Sequence, residues 1–306
     1  MIEIENLKFY YKTYEKKTGF MSTIHDFFKR KYIKKQALNI DELNIKEGEI
    51  VGILGPNGAG KTTLIKILSG ILEEKSGKVI CDNFRPYNKN KEFLKNIGVV
   101  MGQKSQLIWD LPSIETLKLL KEIYNISKED FDTRLDYFIE LFNLKEKINV
   151  PVRKLSLGER RKFEIICSLI HNPKILFLDE PTIGLDILSQ KGIHEFLKQI
   201  NKKHNTTILL TSHYMKDIEI LCNRIVVILD GKKHMDTTLK ELKEKYKVER
   251  KYVITTTNDE FPIKDDTIKW TKLEKNKFEM HLDNVLEIDN NTREVDEIIF
   301  EIFSKG

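Results

Sequence analysis

The 306-residue sequence lacks any apolar segment long enough to cross a membrane as a helix. A membrane-spanning helix needs roughly 20 consecutive apolar residues. The longest apolar runs, such as Ile175–Leu178 and Ile225–Leu229, fit only buried strands. The N-terminus alternates as in a strand and does not show the charged-then-apolar pattern of a signal peptide. We therefore expect any role at a membrane to depend on a partner.

Cysteine is scarce, net charge is small, and the sequence has no internal repeat. Cys81, Cys167 and Cys222 are widely spaced and odd in number, which argues against a disulfide framework or a clustered zinc site and fits a reducing cytosol. A net charge of +5 is too small for a chain of this length to indicate nucleic-acid binding. The composition, 40% hydrophobic and 32% charged, is that of a folded globular protein.

Strand and helix patterns alternate along most of the chain. The elements predicted after Pro151 are, in order, helix 158–171, strand 174–179, helix 187–203, strand 206–211, helix 214–222 and strand 224–230. Before them, residues 113–148 have a helical pattern throughout. The alternation predicts an α/β fold with a mainly parallel sheet covered by helices on both faces.

The sequence divides into a large domain, residues 1–239, and a small one, residues 240–306. The large domain contains a basic insertion at 12–37 and a helical subdomain at 104–155. The insertion has apolar residues at helical spacing and a lysine- and arginine-rich end. It fits either a solvated amphipathic helix on the domain surface or a segment in contact with anionic lipid headgroups or a membrane partner. The small domain is predicted to be an α+β appendage, with its last helix at Val295–Phe303 and no identifiable chemistry.

A glycine-rich loop follows a predicted buried strand and precedes a helix. It matches G-x-x-x-x-G-K-[ST] through Gly55, Pro56, Asn57, Gly58, Ala59, Gly60, Lys61 and Thr62, and Thr63 follows it. In such a loop the backbone N–H groups surround phosphate oxygens, and the helix N-terminus adds a favourable partial charge. The lysine reaches the β- and γ-phosphates and the hydroxyl binds Mg²⁺. The loop therefore predicts a nucleoside triphosphate site.

Two acids, Asp179 and Glu180, stand at the end of a predicted buried strand. Taken alone, the two acids could equally well be a pair that caps the next helix. Beside a phosphate loop, Asp179 fits a residue that holds Mg²⁺ opposite Thr62, and Glu180 fits one that orients and polarises the attacking water. The pair therefore changes the prediction from nucleotide binding to nucleotide hydrolysis.

The run Leu155-Ser156-Leu157-Gly158-Glu159 opens a predicted helix. Ser156 suits the N-cap position, and Glu159, three residues further on, completes a capping box. The free N–H groups of a helix start that carries Ser and Gly also bind phosphate. Both interpretations fit, since the same N–H groups serve either role.

The order of these parts resembles the ATPase subunits of ABC transporters. Gln103 lies between the loop and the helical stretch, Pro181–Asp186 follows the acids, and Thr211–His213 follows a later strand. The resemblance covers about residues 1–235. It implies a P-loop NTPase core of the ABC ATPase type, with a mainly parallel sheet, an antiparallel β portion at the N-terminus and a helical subdomain. It also implies hydrolysis of ATP, with Mg²⁺ as cofactor.

The resemblance further implies that ATP is held between two copies of the domain. Each phosphate loop would be completed by Ser156 and Gly158 of the opposite copy. Tyr11 matches the aromatic residue that stacks on adenine, with Tyr10 as a substitute. Asp186 matches the aspartate that communicates across the dimer.

Two further residues match positions next to the γ-phosphate. Gln103 matches the glutamine that senses the γ-phosphate and its metal and connects to the membrane partner, with Gln106 as the alternative. His213 matches the histidine that holds the γ-phosphate and the water-positioning acid together. One departure is Glu159, where the family's usual L-S-G-G-Q has glutamine. Its negative charge near the partner's nucleotide is predicted to weaken the dimer.

The partners implied are a second copy of the chain, with a heterodimer left open, and a separately encoded membrane permease at the cytoplasmic face. The runs Gly102–Pro112 and Pro151–Gly158 look like a bacterial and archaeal subgroup of ABC export ATPases, so export is expected and import is the alternative. A soluble ABC protein of translation or DNA repair fits less well, because one ATPase module is present without a heptad run. A kinase or GTPase conflicts with Ser156-Leu157-Gly158 and His213.

Overall fold

The computed structural model describes residues 1–14, 32–102, 105–212, 215–245, 251–255, 269–274 and 277–281. The chain forms two compact units, Met1–Leu239 and Lys240–Gly306. Four expectations lie wholly or in part outside the described residues: the roles of Gln103 and His213, residues 15–31 of the basic insertion, and the helix at Val295–Phe303.

Nine strands of the larger unit form one sheet. They are β1 (Ile2–Tyr14), β2 (Tyr32–Ile45), β3 (Ile50–Leu54), β4 (Ser76–Cys81), β5 (Ile97–Val100), β6 (Ile175–Asp179), β7 (Thr207–Thr211), β8 (Arg224–Leu229) and β9 (Lys232–Thr238). Their order is β4-β1-β2-β9-β8-β3-β7-β6-β5. The run β8-β3-β7-β6-β5 is parallel, whereas β1 pairs antiparallel with β2 and β4. The predicted α/β fold, with an antiparallel portion at the N-terminus, is confirmed.

The described helices are α1 (Lys61–Leu68), α2 (Lys91–Asn96), α3 (Ser113–Ile123), α4 (Lys128–Leu141), α5 (Leu157–Leu169), α6 (Ile187–His204), α7 (Met215–Leu221) and α8 (Leu239–Lys245). The expectation of continuous helix over 113–148 is wrong. Asn125 ends α3 with a left-handed φ of 52°. Ser127 then starts α4 as an N-cap that accepts a hydrogen bond from the Asp130 N–H at 3.1 Å. None of the described helices is long and apolar enough to cross a membrane.

Strands β6 and β7 lie within the parallel part of the sheet, between β3 and β5, and are buried along their whole length. A strand covered on both faces has apolar residues at successive positions, which is why Ile175–Leu178 is an unbroken apolar run. The core behind it includes Ile53, Leu64 and Phe177, all 0% exposed. This packing fixes the carboxyl end of β6, where Asp179 is 7% exposed.

The β1–β2 pairing runs into both ends of the predicted basic insertion. Tyr11 pairs with Lys35, and the ladder continues to Tyr14 and Tyr32. Residues 12–14 and 32–37 are therefore strand, and the part between them lies outside the described residues. The long hairpin brings Lys35 next to Tyr11, a neighbour that the sequence pattern did not indicate.

The smaller unit contains a three-stranded antiparallel sheet in the order β10-β12-β11. Its strands are β10 (Lys251–Thr255), β11 (Lys269–Glu274) and β12 (Lys277–His281).

Candidate functional site

The glycine-rich loop lies between β3 and α1. Gly60 has a φ of 106°, and a Cβ at this position would lie 2.6 Å from the Ala37 carbonyl oxygen. Gly58 has a φ of 84°. Side chains rarely adopt this left-handed backbone, so both positions favour glycine. The turn lets α1 begin at Lys61, directly after the loop.

Lys61 folds back over the loop. Its Nζ donates hydrogen bonds to the carbonyl oxygens of Gly55, at 2.7 Å, and Pro56, at 3.1 Å. Burial lowers the pKa of Lys61 below its usual value, although the nearby Glu180 and Asp179 carboxylates act to raise it. The ammonium group is thus held inside the loop that the sequence predicts to bind phosphate.

Asp179, at the end of β6, accepts hydrogen bonds from two hydroxyl groups. The Thr62 hydroxyl donates to its carboxylate at 3.0 Å, and the Thr211 hydroxyl donates at 2.8 Å. A carboxylate beside a hydroxyl at a phosphate loop is the oxygen donor set that suits Mg²⁺, which in such sites is bound by one or two protein groups together with substrate phosphates. Thr62 and Asp179 therefore fit the metal that the sequence implies.

Glu180 has an uncommon backbone. Its φ is 53°, in the left-handed region that non-glycine residues seldom occupy. Its N–H donates to the carbonyl oxygen and to the hydroxyl of Thr211, both at 3.1 Å. Thr211 therefore contacts both acids, and sequence reasoning missed it as a site residue. Thr211 lies beside Asp179 in the β6–β7 pairing, so a correct prediction of that pairing would have identified it as a site residue.

A cavity of about 290 Å³ opens over the loop. The predicted residues that line it are Tyr11, Asn57, Gly58, Gly60, Lys61, Thr62, Thr63 and Glu180, and the structure adds Lys35, Gln36 and Ala37 from β2. The Tyr11 ring packs edge-on against Phe9 with ring centres 5.0 Å apart, and its hydroxyl lies 3.1 Å from the Thr63 hydroxyl. Ala59, by contrast, is a core residue, 3% exposed.

Ser156 starts α5, and the predicted capping box is confirmed. The Ser156 hydroxyl accepts a hydrogen bond from the Glu159 N–H at 3.1 Å, and the Ser156 N–H donates to the Glu159 carboxylate at 2.8 Å. Partial burial acts to raise the pKa of Glu159, but the hydrogen bonds from Ser156 and Lys147 leave it below its usual value. Lys147 lies 3.1 Å from the Glu159 carboxylate, so it offsets the negative charge of that side chain.

Gly158 and Asp186 meet at the start of α6. A Cβ on Gly158 would lie 2.5 Å from the Ser189 hydroxyl, which leaves no room for a larger residue. Asp186 is the N-cap of α6 and accepts hydrogen bonds from the Ser189 N–H and hydroxyl, which hold the pKa of Asp186 below its usual value. Ser156, Gly158 and Asp186 do not line the nucleotide cavity. The structure thus places the predicted residues in two separate groups, one around the nucleotide cavity and one at the starts of α5 and α6.

Gln106 is the alternative to Gln103. Its amide Nε2 donates to the carbonyl oxygen of Val99 in β5. The side chain lines a second cavity, of about 510 Å³, rather than the cavity over the phosphate loop. The preference for Gln103 remains a prediction.

Comparison with known proteins identifies the family. The sequence profile of the family described as "ABC transporter" matches residues 38–183. The ABC transporter ATP-binding protein NatA of Bacillus subtilis is 35% identical over 214 residues, which cover 69% of this chain and 87% of that protein. The bacitracin transport ATP-binding protein BcrA of Bacillus licheniformis is 30% identical over 261 residues, which cover 84% of this chain and 81% of that protein.

Solved structures agree with this match. A dimeric ATP-binding cassette in a post-hydrolysis state, bound to ADP and Pi, superposes with a TM-score of 0.63 at 27% identity, covering 78% of this chain and 99% of that one. A dimeric bacterial ABC transporter cassette superposes with a TM-score of 0.65, again at 27% identity and with the same coverage. The fold, the phosphate loop with its strand-end acids and these relatives agree, and the chain belongs to the ATP-binding subunits of ABC transporters, which are ATPases.

Proposed function

We propose that this subunit hydrolyses MgATP as a homodimer to power export through a separate membrane permease at the cytoplasmic face. The observation that carries the proposal is the hydrogen-bonded cluster of Thr62, Asp179, Thr211 and Glu180, of which Thr62 and Glu180 line the cavity over the phosphate loop together with Lys61. The two hydroxyls and two carboxylates lie where the β- and γ-phosphates would meet the metal and the attacking water.

Each group has a separate role in the proposed reaction. Lys61 neutralises the β- and γ-phosphates, and Thr62 and Asp179 hold Mg²⁺, which stabilises developing charge on the phosphate oxygens. Glu180 orients and polarises the water, with Gln103 and His213 completing the environment of the γ-phosphate. Because little covalent chemistry falls to the protein, position and charge supply most of the rate enhancement.

The placement of Ser156, Gly158 and Asp186 supports a dimer. None of the three lines the nucleotide cavity of its own chain. The start of α5 nevertheless presents N–H groups of the kind that bind phosphate. A second copy would bring Ser156 and Gly158 over the nucleotide, and the two solved cassettes described above are dimers.

Export is supported by the names of relatives. One is a bacitracin transport protein, and another, 34% identical over 203 residues, is the linearmycin resistance ATP-binding protein LnrL of Bacillus subtilis. Removal of antibiotics from a cell is export. Contact of the basic insertion with anionic headgroups belongs to the same proposal, since it would add to the attachment that the permease provides.

A groove on the larger unit supports the permease partner. This docking groove is the 510 Å³ cavity that Gln106 lines, together with Lys91, Leu94, Lys95 and Ile123. Ile123 is 63% exposed and Leu94 is 37% exposed. An apolar segment of the permease carrying an acidic side chain would cover the aliphatic residues and pair with the two lysines. Gln106, which lines the groove, is three residues after Gln103 in the sequence. A partner in the groove would therefore be close to the residue predicted to sense the γ-phosphate.

Glu180→Gln tests the hydrolytic role. The variant keeps the shape of the side chain but cannot polarise water. We expect ATP binding to be retained, turnover to fall by about 10²- to 10⁴-fold, and ATP-bound dimers to accumulate in size-exclusion chromatography. Glu195→Gln, on the exposed face of α6, is the matched control and should hydrolyse ATP at the wild-type rate. Wild-type turnover by the Glu180 variant would refute the assignment.

Ile123→Asp tests the docking groove. A charge at this exposed position should leave the ATPase rate of the isolated subunit unchanged and reduce co-purification with the permease at least tenfold. Leu119→Asp places the same charge one turn earlier on α3, at a side chain that is 50% exposed and outside the groove lining, and serves as the control. Equal recovery of the permease with both variants would place the contact elsewhere.

A further inference from the structure

A buried polar network lies behind the catalytic end of the sheet. Asp217, on α7, is 1% exposed and accepts hydrogen bonds from three side chains. The donors are the His194 Nε2 at 2.7 Å, the Ser212 hydroxyl at 2.8 Å and the Thr182 hydroxyl. Thr182, Ser212 and His194 are themselves no more than 5% exposed. One carboxylate thus joins four separate segments of the chain.

The network stabilises the buried negative charge of Asp217, because each of its hydrogen bonds is made to the ionised carboxylate. A buried carboxylate is costly unless hydrogen bonds replace its lost hydration. Burial acts to raise the pKa of Asp217, but the hydrogen bonds from His194, Thr182 and Ser212 outweigh it and leave the pKa below its usual value. Loss of any donor would leave Asp217 with less compensation, so the segments are held in one arrangement.

Two of the joined segments carry the predicted catalytic groups. Thr182 is two residues after Glu180, and Ser212 directly precedes His213. The φ of 53° at Glu180 is uncommon and persists only when the surrounding structure enforces it. Thr211 holds the Glu180 N–H on one side, and the bond from Thr182 to Asp217 fixes the chain on the other.

We propose that Asp217, supported by His194, is a positioning residue for ATP hydrolysis. It acts through Thr182 on Glu180 and through Ser212 on the segment that leads into His213. It touches neither nucleotide nor water itself. The inference rests on the proposed function, because it takes Glu180 as the group that orients water.

Removal of the donor hydroxyls tests the positioning role with little change of shape. Thr182→Val and Ser212→Ala each take one hydrogen bond from Asp217, and Asp217→Asn keeps the size of the acceptor but not its charge. Thr207→Val is the matched control, since Thr207 is 0% exposed and its hydroxyl accepts a hydrogen bond from the Gly48 N–H, at 2.9 Å, at the opposite end of β7 from Thr211. All are made in the full chain, and urea unfolding confirms that each variant is folded.

We expect kcat to fall at least tenfold in Thr182→Val and in Asp217→Asn, because a misplacement of about 1 Å costs on the order of 10²-fold. The KM for ATP should stay within twofold of wild type, and the Thr207 control should keep its kcat. Adding Asp217→Asn to Glu180→Gln should cause no further loss, since two residues that act as one unit are not additive. Wild-type kcat in both Thr182→Val and Asp217→Asn would overturn the inference, as would a fully additive loss in the double variant.

The outcome is separable from that of the proposed function. If Glu180→Gln abolishes turnover while the network variants keep it, only the positioning role fails. If Glu180→Gln hydrolyses ATP normally, the assignment of Glu180 fails whatever the network variants do.

Discussion

Threonine hydroxyls connect the acids of the site. Thr62 and Thr211 both donate to Asp179, and Thr211 also receives the Glu180 N–H. The roles of Thr62 and the two acids follow from motif spacing. The role of Thr211 does not, because it depends on which strand lies beside β6 in the sheet. Single residues in a local motif are therefore predictable from sequence, whereas bridging residues need the strand order.

His171 gives a prediction about pH. Its ring stacks on Tyr124 with ring centres 3.9 Å apart, and its Nε2 lies 2.9 Å from the Ile97 carbonyl oxygen. Burial lowers the pKa of His171 to about 4. The unfolded chain titrates near pH 6.5 and therefore binds more protons below that pH. This contribution to the free energy of unfolding is complete above about pH 6.5 and is lost as the pH falls towards 4.

We expect His171→Gln, which retains a donor for the Ile97 carbonyl, to reduce the decline in stability between pH 6.5 and 4. Urea unfolding at several pH values measures the free energy of unfolding, with wild type as the reference. An identical pH dependence in the two proteins would mean that folding does not lower the pKa of His171.

At the scale of elements, local signals predict some boundaries and not others. The capping box at α5 is visible in the sequence as Ser156 and Glu159, and the structure contains it. Strand β9 is polar, K-K-H-M-D-T-T, and no pattern of apolar residues predicts it. It forms because β8 offers an antiparallel edge, so it depends on tertiary pairing rather than on its own pattern. The break at Asn125 was missed because apolar periodicity continues on both sides of it.

The charge at the start of α5 gives a prediction at this scale. Glu159→Gln should keep the capping box, since glutamine also serves at that position, and remove the negative charge that would face the partner's nucleotide in the proposed dimer. Loss of the pair with Lys147 should cost only about 0–1 kcal/mol of stability. In the Glu180→Gln background we expect the variant to dimerise at lower ATP concentration, as measured by size-exclusion chromatography.

Lys147→Met is the complementary control. It leaves Glu159 charged and without its ion pair, and should therefore shift dimerisation to higher ATP concentration. If both variants moved the ATP requirement in the same direction, charge at this helix would not control closure.

At the scale of the whole molecule, the described site residues belong to the unit Met1–Leu239. A chain that ends after Lys245 should therefore bind and hydrolyse ATP as the full protein does. The cut keeps α8 whole, because that helix begins at Leu239, the last residue of the larger unit. Steady-state ATPase assays and thermal unfolding provide the comparison. A folded truncated chain with lost turnover would assign the smaller unit a direct part in hydrolysis.

The hydrogen bonds from Lys61 to the carbonyl oxygens of Gly55 and Pro56 have a consequence for the affinity for nucleotide. Two of the three N–H donors of the ammonium are already bonded to these carbonyls, so phosphates that take more than one donor must displace a carbonyl, and nucleotide binding is in part an exchange of partners. The net gain is the difference between two sets of hydrogen bonds. A single small anionic group can use the remaining donor, whereas a chain of phosphates can in addition take the place of both carbonyls. The loop therefore selects for polyphosphates before any contact with the base is made.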